Sequence, residues 1–304
     1  MTPFTGLYTA LITPFKRDGS LDEEGLLLLI QRQLQADVDG IVILGTTGEA
    51  PTLTDQEKKR VIQLARAAWP KKSLVVGTGT YSTRETIRNT QEAKDLGADC
   101  ALLVSPYYNK PTQEGLYLHF KAVANAVNIP ILLYNIAYRT GVSQHLETIL
   151  KLAEIENICG IKETSPHLNA TSHLIWESKK RRPGFVVLSG DDELNFPIIA
   201  LGGDGAVSVI SNLFPEKVSE MINLALGNQI SLAREIHYQL LALCRGASLE
   251  TNPIPIKAAL QSCGLPSGNP RLPLTPLAEM HRLELLKILD TMDRYEKKTA
   301  VRAS

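Results

Sequence analysis

Lys162 is the residue whose position first indicates chemistry. It lies near the end of residues 157–165, where Ile158 and Ile161 belong to an apolar strand pattern. Because burial disfavours a charged amine, it lowers a lysine pKa from about 10.4 toward the roughly 7–8 suited to attack on a carbonyl. A lysine placed here can therefore form a Schiff base. The alternative is a solvated lysine that pairs with Glu163.

A second chemical motif follows an earlier apolar run. Gly45-Thr46-Thr47-Gly48-Glu49 contains two hydroxyls flanked by glycines that let a ligand approach the backbone amides. Such a nest suits a small anion, for instance a carboxylate. The alternative is a simple turn before a capped helix, because nests and turns share this composition.

Two further segments carry polar groups after apolar runs. Tyr134 can relay a proton, and Arg139 can bind a carboxylate through two hydrogen bonds. Their alternative is a tyrosine at the edge of the core and a solvated arginine. Tyr107 and Tyr108 are adjacent in a proline-bounded loop and cannot both point into one core, so we expect one to meet a ligand or another subunit.

Three acids, Asp191, Asp192 and Glu193, raise the question of a metal site. Acids in a first helical turn also complement the helix dipole, and we favour that interpretation. Gly190 before them is expected to allow a close backbone approach. The cysteines and histidines show no metal-ligand spacing, so we expect no metal site. A covalent Schiff base on Lys162 needs no cofactor, so we expect none.

The elements that position these residues alternate regularly. Eight apolar runs typical of buried parallel strands are separated by amphipathic helix patterns. This alternation predicts an α/β fold, a (β/α)8 TIM barrel, over residues 1–227, with a C-terminal helical appendage over residues 228–304. Active sites of such barrels lie at the carboxyl ends of the strands, where all the residues above are expected.

Composition excludes several classes of function. Lys plus Arg (32) equals Asp plus Glu (32), which leaves no basic surface for nucleic acid or anionic membranes. No segment has the length and apolarity of a membrane span, and the N-terminus lacks the layout of a secretory signal. We therefore expect a cytoplasmic protein that binds neither nucleic acid nor membrane.

The residues converge on one reaction type. Lys162, Thr46, Thr47, Tyr134 and Gly190 follow strands six, two, five and seven at the same predicted rim. A Schiff-base lysine, a carboxylate nest and a proton-relaying tyrosine describe a lysine-dependent aldolase that acts on a 2-oxo acid. A catalytically silent 2-oxo acid binder is the alternative from another class.

The sequence resembles the dihydrodipicolinate synthase and N-acetylneuraminate lyase family of pyruvate-dependent aldolases over essentially its whole length. Arg139-Thr140-Gly141 and the last of the motifs below make it more similar to the synthase branch, which serves lysine and diaminopimelate biosynthesis. The motifs are Gly45-Thr46-Thr47-Gly48-Glu49, Pro106-Tyr107-Tyr108-Asn109-Lys110-Pro111, Tyr134-Asn135, Gly160-Ile161-Lys162-Glu163, Ser189-Gly190-Asp191-Asp192 and Asn252-Pro253-Ile254-Pro255-Ile256-Lys257.

The resemblance implies a specific reaction. Pyruvate condenses with Lys162, loses a methyl proton to give an enamine and attacks the aldehyde of L-aspartate 4-semialdehyde, after which cyclisation yields 4-hydroxy-tetrahydrodipicolinate. Thr46, Tyr134 and Tyr108 match the family's proton relay, with Tyr108 crossing a dimer interface from the neighbouring subunit. The resemblance further implies a homotetramer built as a dimer of dimers.

The resemblance also assigns substrate contacts. Thr47 matches the contact to the pyruvate carboxylate, Val207 a main-chain contact and Arg139 the anchor of the semialdehyde. A pyruvate-dependent lyase of another aldehyde, from sialic acid or a 2-keto-3-deoxy sugar acid, is the alternative. Arg139 argues against it, because sugar aldehydes offer hydroxyls rather than a compact charged end.

The chain departs from the family pattern in two places. Ile136-Ala137-Tyr138 lacks the usual proline, so we expect a less rigid loop and, through Tyr138, a narrower aldehyde pocket. Lysine-inhibited members often have histidines where this chain has Asp55 and Lys58, although Glu85 and Tyr107 match other parts of that lysine site. A lysine ligand would meet the extra cation of Lys58, so we expect weak or absent inhibition by lysine. Lys257 is a second candidate for the reactive amine. We expect its position in the C-terminal helical tail to keep it far from the rim.

Overall fold

The computed structural model describes the backbone of residues 4–303 and the side chains of residues 4–292. Eight parallel strands hydrogen-bond in chain order and close into a barrel. This is the predicted TIM-barrel fold. The strands are β1 Gly6–Ala10, β2 Gly40–Ile43, β3 Ser73–Gly77, β4 Cys100–Val104, β5 Ile131–Asn135, β6 Ile158–Glu163, β7 Val186–Ser189 and β8 Gly205–Ser208.

Helices surround the barrel and continue beyond it. Several begin at a residue whose side chain accepts a backbone hydrogen bond; Thr54 and Glu57 form a complete capping box, as the sequence predicts. The helices are α1 Glu23–Gln35, α2 Asp55–Ala68, α3 Thr83–Asp95, α4 Gln113–Ala126, α5 Ala137–Thr140, α6 Leu146–Leu152, α7 Leu168–Arg181, α8 Asn195–Ala200, α9 Pro215–Leu226, α10 Ile230–Gly246, α11 Ile254–Ser262 and α12 Glu279–Ala303. Among the described helices, none is both long and apolar enough to cross a lipid bilayer.

The barrel closes where β1 pairs with β8. The register joins Gly6 to Gly205 and Tyr8 to Val207. A Cβ atom on Gly205 would lie 2.1 Å from the main-chain oxygen of Gly6, and its φ of +147° disfavours other residues. Glycine is therefore required where the last strand meets the first.

Side chains at alternate strand positions belong to separate parts of the core, one inside the barrel and the others between the barrel and the helices. Positions that face inward, such as Val42, Leu102, Tyr134 and Val207, form one cluster inside the barrel. Positions that face outward pack against the helices. Both strand faces are thus covered, which explains the nearly continuous apolar runs in the sequence.

The C-terminal helices share the barrel's outer core. Leu240 of α10 and Leu260 of α11 belong to the same apolar cluster as Leu29 of α1. Ser248, which follows α10, reaches the carboxyl end of the barrel and lines the cavity there. A boundary after residue 227 remains a prediction, and residues 228–292 are joined to the barrel by this common core.

The segment after β5 forms α5, a short helix that the sequence analysis does not predict. The amide of Gly141 donates to the main-chain oxygen of Ala137 (2.8 Å), and Gly141 adopts a φ of +73°. The Thr140 hydroxyl donates to the oxygen of Val142 (2.8 Å). These bonds hold the turn, although residues 136–142 contain no proline.

Candidate active site

Lys162 lies at the carboxyl end of β6 with its side chain inside the barrel. It is only 6% exposed, and its ammonium nitrogen lies 4.2 Å from the centre of the Tyr134 ring. Burial lowers the pKa of Lys162 to about 8. The structure therefore excludes a solvated lysine, and the lowered pKa makes the neutral fraction of this amine at neutral pH larger than that of an ordinary lysine.

Glu163 does not pair with Lys162, because successive strand residues face opposite sides. Its carboxylate accepts hydrogen bonds from the Asn135 side chain (2.9 Å) and from the amides of Thr164 and Ser165 (both 2.8 Å). Burial nevertheless raises the pKa of Glu163. Glu163 therefore holds the backbone after β6, whereas the Lys162 side chain points into the cavity.

Tyr134 is the strand neighbour of Lys162. The two residues are register partners of β5 and β6. Burial raises the pKa of Tyr134 to about 12, while hydrogen bonds with Thr164 and Thr46 act in the opposite direction. The phenol is therefore protonated at neutral pH and connects the amine to the hydroxyl of Thr46, a geometry suited to proton transfer.

The loop after β2 carries Thr46 and Thr47 to the same cavity. Thr47 is buried, and its hydroxyl oxygen accepts a hydrogen bond from the Asn252 side chain (2.9 Å). Glu49 ends the loop with a φ of 52°, in the left-handed region. Both threonines of this loop line the cavity.

Gly190 forms the part of the cavity wall that lies beside the Lys162 side chain. A Cβ atom there would lie 2.6 Å from Cε of Lys162, so only glycine leaves the lysine its position. Asp192, two residues later, accepts from the amides of Val209 (2.8 Å) and Ile210 (3.0 Å). Asp192 therefore ties the turn after β7 to the segment after β8.

Asp191 and Glu193 line the cavity beside Asp192. Asp191 accepts from the amide of Glu193 (3.0 Å), which caps the short turn that follows. Burial raises the pKa of Asp191. Among residues 4–292, no group of three His, Cys, Asp or Glu side chains has an arrangement that could hold a metal ion.

Arg139 lies on α5 at the mouth of the cavity. Its guanidinium donates to the main-chain oxygen of Asn252 (3.3 Å) and lies 5.7 Å from the centre of the Tyr138 ring. Tyr138 is 71% exposed and lines the mouth. Its ring lies beside Arg139, and a narrower aldehyde pocket remains our prediction for it.

Two candidate residues lie outside the cavity wall of this single chain. Tyr108 has a φ of 70° and is 91% exposed, and the neighbouring Tyr107 makes an edge-to-face contact with Tyr81 at 5.4 Å. Val207 is buried in the barrel interior, and Val209 lines the cavity instead. The roles predicted for Tyr108 and Val207 remain predictions.

Six of the eight predicted residues line one cavity of about 120 Å³. They are Thr46, Thr47, Tyr134, Arg139, Lys162 and Gly190. Thr164 also lines the cavity and was not predicted, although it directly follows the strand of Lys162. Asn252 was predicted only as part of a motif, with no role, and no pattern in the sequence indicates Cys244 or Ser248.

Lys257 lies closer to the rim than its place in the helical tail indicates. Its ammonium donates to the main-chain oxygen of Thr13, after β1, and to the Glu49 carboxylate after β2. The expectation that it lies far from the rim is wrong. Lys257 is less suited to be the Schiff-base lysine, because its ammonium is held by Glu49 and Thr13 in a buried pair and does not line the cavity.

The arrangement can perform carbonyl chemistry. A buried amine with a lowered pKa, a protonated phenol against it and two threonine hydroxyls share a cavity closed below by the barrel core. These groups suit imine formation with a small carbonyl acid. Arg139 at the mouth adds a cation for a second anionic group.

Comparisons with known proteins agree with this chemistry. A family model described as the dihydrodipicolinate synthetase family matches residues 3–292. The chain is 50% identical over 288 residues to the 4-hydroxy-tetrahydrodipicolinate synthase of Protochlamydia amoebophila (strain UWE25), covering 94% of this chain and 96% of the relative.

Solved structures are equally similar. The 4-hydroxy-tetrahydrodipicolinate synthase of Methylacidiphilum fumariolicum SolV superimposes with a TM-score of 0.94 at 42% identity, covering 97% of this chain and 98% of that one. The chloride-inhibited dihydrodipicolinate synthase of Acinetobacter baumannii, solved with pyruvate, has a TM-score of 0.93 at 42% identity, covering 95% and 99%.

Proposed function

The chain belongs to the dihydrodipicolinate synthetase family, and we propose that it condenses pyruvate with L-aspartate 4-semialdehyde through a Schiff base on Lys162. Its activity is that of a 4-hydroxy-tetrahydrodipicolinate synthase, a lyase of the class I aldolase type in lysine and diaminopimelate biosynthesis. The single observation that carries the proposal is the buried Lys162 amine with a pKa of about 8, beside Tyr134.

The first steps use Lys162 and Tyr134. The neutral amine adds to the carbonyl carbon of pyruvate, and loss of water leaves a protonated imine on Nζ. Tyr134 supplies and recovers protons, with Thr46 as its neighbour in the relay. Loss of a methyl proton from the imine gives an enamine, whose carbon attacks the aldehyde of the second substrate. The amino group of that substrate then attacks the imine carbon, which closes the ring and releases the lysine.

Substrate carboxylates are assigned to two places. Thr47 binds the carboxylate of pyruvate, with Gly190 leaving room beside the imine and Val207 contributing a main-chain contact. Arg139 at the mouth binds the carboxylate of the semialdehyde. The assignments are supported by the buried Thr47 hydroxyl and by the Arg139 guanidinium, whose hydrogen-bond acceptor is a main-chain oxygen and not a carboxylate.

We further propose a cytoplasmic homotetramer, a dimer of dimers, that needs no cofactor. Tyr108 from the neighbouring subunit completes the relay. Its exposure in the single chain, on a loop held in the left-handed region, supports this role because an exposed tyrosine ring is available to a second copy.

Reductive trapping tests the proposal directly. Borohydride added with pyruvate should label Lys162, identified by mass spectrometry of the modified peptide, and Lys162→Ala should abolish both labelling and turnover. Labelling of Lys257 or of another lysine would contradict the mechanism. A pyruvate binder without activity would bind pyruvate and show no turnover in the wild type.

The aldehyde is tested separately. Arg139→Ala should raise KM for the semialdehyde far more than KM for pyruvate, because only the second substrate reaches the mouth. Faster turnover of a sugar-acid aldehyde than of L-aspartate 4-semialdehyde would favour the alternative lyase.

A further inference from the structure

Asn252 joins the two substrate ends of the cavity. It lies between α10 and α11, and its side-chain amide donates to the hydroxyl oxygen of Thr47 (2.9 Å). Its main-chain oxygen accepts from the guanidinium of Arg139 (3.3 Å). One residue of the C-terminal segment thus contacts both groups proposed to bind carboxylates.

The direction of the Thr47 bond matters. Because the Asn252 amide occupies a lone pair of the Thr47 oxygen, the hydroxyl hydrogen remains for another partner. A carboxylate only accepts hydrogen bonds, so it suits that hydrogen. Asn252 therefore orients the Thr47 hydroxyl as a donor toward the carboxylate of the first substrate.

The other end of the Asn252 side chain is unusual. Its Oδ1 atom is buried and has no hydrogen-bond partner within the described part of the chain. A buried acceptor without a partner costs about 1–3 kcal/mol, so the side chain is not explained by stability. This observation points to a functional reason for the residue.

Two contacts fix the loop after β2 to the segment that carries Asn252. Thr47 binds Asn252, and Glu49, two residues later, binds Lys257 (2.6 Å) in α11. The ion pair is fully buried, so the backbone on both sides of the Asn252 contact is held in place.

We infer that Asn252 is a positioning residue: its amide sets Thr47 for the pyruvate carboxylate while its main-chain oxygen holds Arg139 for the second substrate. The inference rests on the proposed function and extends it to the C-terminal segment. A side-chain substitution removes the first contact and keeps the second, since the second uses the backbone.

Isosteric Asn252→Asp is the decisive variant, because aspartate keeps the shape and cannot donate to Thr47. The pyruvate concentration that half-saturates borohydride labelling of Lys162 should rise about tenfold or more, with the same final labelling at saturation. KM for the semialdehyde should change much less. Asn252→Ala should show the same split with little change in thermal stability.

Asn223→Asp is the matched control, because Asn223 lies exposed on α9 and bonds only weakly to Ser219 (3.3 Å). If the pyruvate concentration that half-saturates labelling is unchanged in both Asn252 variants, the inference is overturned. An equal rise in KM for pyruvate and for the semialdehyde would also overturn it. Absence of labelling in the wild type contradicts the proposed function instead, so the two failures are distinguishable.

Discussion

The ammonium of Lys257 lies 2.6 Å from a carboxylate oxygen of Glu49, and both side chains are only 1% exposed. The main-chain oxygen of Thr13 accepts a second hydrogen bond from this ammonium (3.1 Å), and the amide of Arg271 donates to the other carboxylate oxygen (3.0 Å). The pair ties α11 to the loop that carries Thr46 and Thr47, so a residue of the C-terminal segment supports the site.

Breaking this pair should destabilise the protein strongly. Lys257→Met leaves the Glu49 carboxylate buried without a cation, and we expect a loss of about 3–5 kcal/mol in the free energy of unfolding. Urea unfolding measures it. The double variant Glu49→Gln with Lys257→Met should recover a large part of the loss; a single variant as stable as the wild type would contradict the role of the pair.

The rate of imine formation should rise with pH through about 8. Only the neutral amine attacks, and with a pKa of about 8 roughly one-tenth of Lys162 is neutral at pH 7. The initial rate of pyruvate-dependent labelling should therefore increase about tenfold per pH unit below 7 and level off above 9. A midpoint near the ordinary lysine value would show that burial does not tune this amine.

Lys162 should lower stability at neutral pH. Its folded pKa of about 8 lies below the unfolded value of 10.5, so the unfolded state binds more protons between these values and the penalty is complete below pH 8. Lys162→Met should thus raise the unfolding free energy by roughly 1–4 kcal/mol at pH 7, and the gain should disappear above pH 10.5. The free energy of unfolding of both proteins, measured at pH 7 and at pH 10.5, provides the comparison. An equal gain at both pH values would mean that the packing of the methionine side chain causes it.

A methyl group at position 190 should disable the lysine. Gly190→Ala places Cβ within 2.6 Å of Lys162 Cε, so the amine must move and we expect turnover to fall about a hundredfold. Gly184→Ala is the control, because no atom lies within 4 Å of its new Cβ. Equal activity of the two variants would show that Lys162 tolerates displacement.

Inhibition by lysine should be weak or absent. Lys58 and Asp55 form a partly exposed ion pair (3.7 Å), and burial, followed by Tyr81 and Glu85, raises the pKa of Tyr107. A lysine bound near these residues would meet the extra cation of Lys58. Turnover in millimolar lysine should stay within about twofold of the uninhibited rate; strong inhibition would disprove the expectation, and Lys58→His tests whether the cation is its cause.

The sequence alone determined the barrel and most of the predicted residues that line the cavity. Apolar runs that alternate with amphipathic helices predict buried parallel strands, and the carboxyl ends of such strands meet at one rim. Lys162, Tyr134, Thr46, Thr47 and Gly190 were found because each directly follows or ends such a run. Local periodicity is enough for residues whose position depends on their own strand.

The tertiary structure decided what depends on contacts between distant segments. Asn252 meets Thr47 across 205 residues and Lys257 meets Glu49 across 208, and no local pattern encodes either contact. The same holds for the burial that lowers the pKa of Lys162, since the surrounding strands and loops exclude the water. The sequence therefore singled out Lys162, whereas its buried environment and the support from the C-terminal helices arise only when the chain closes around it.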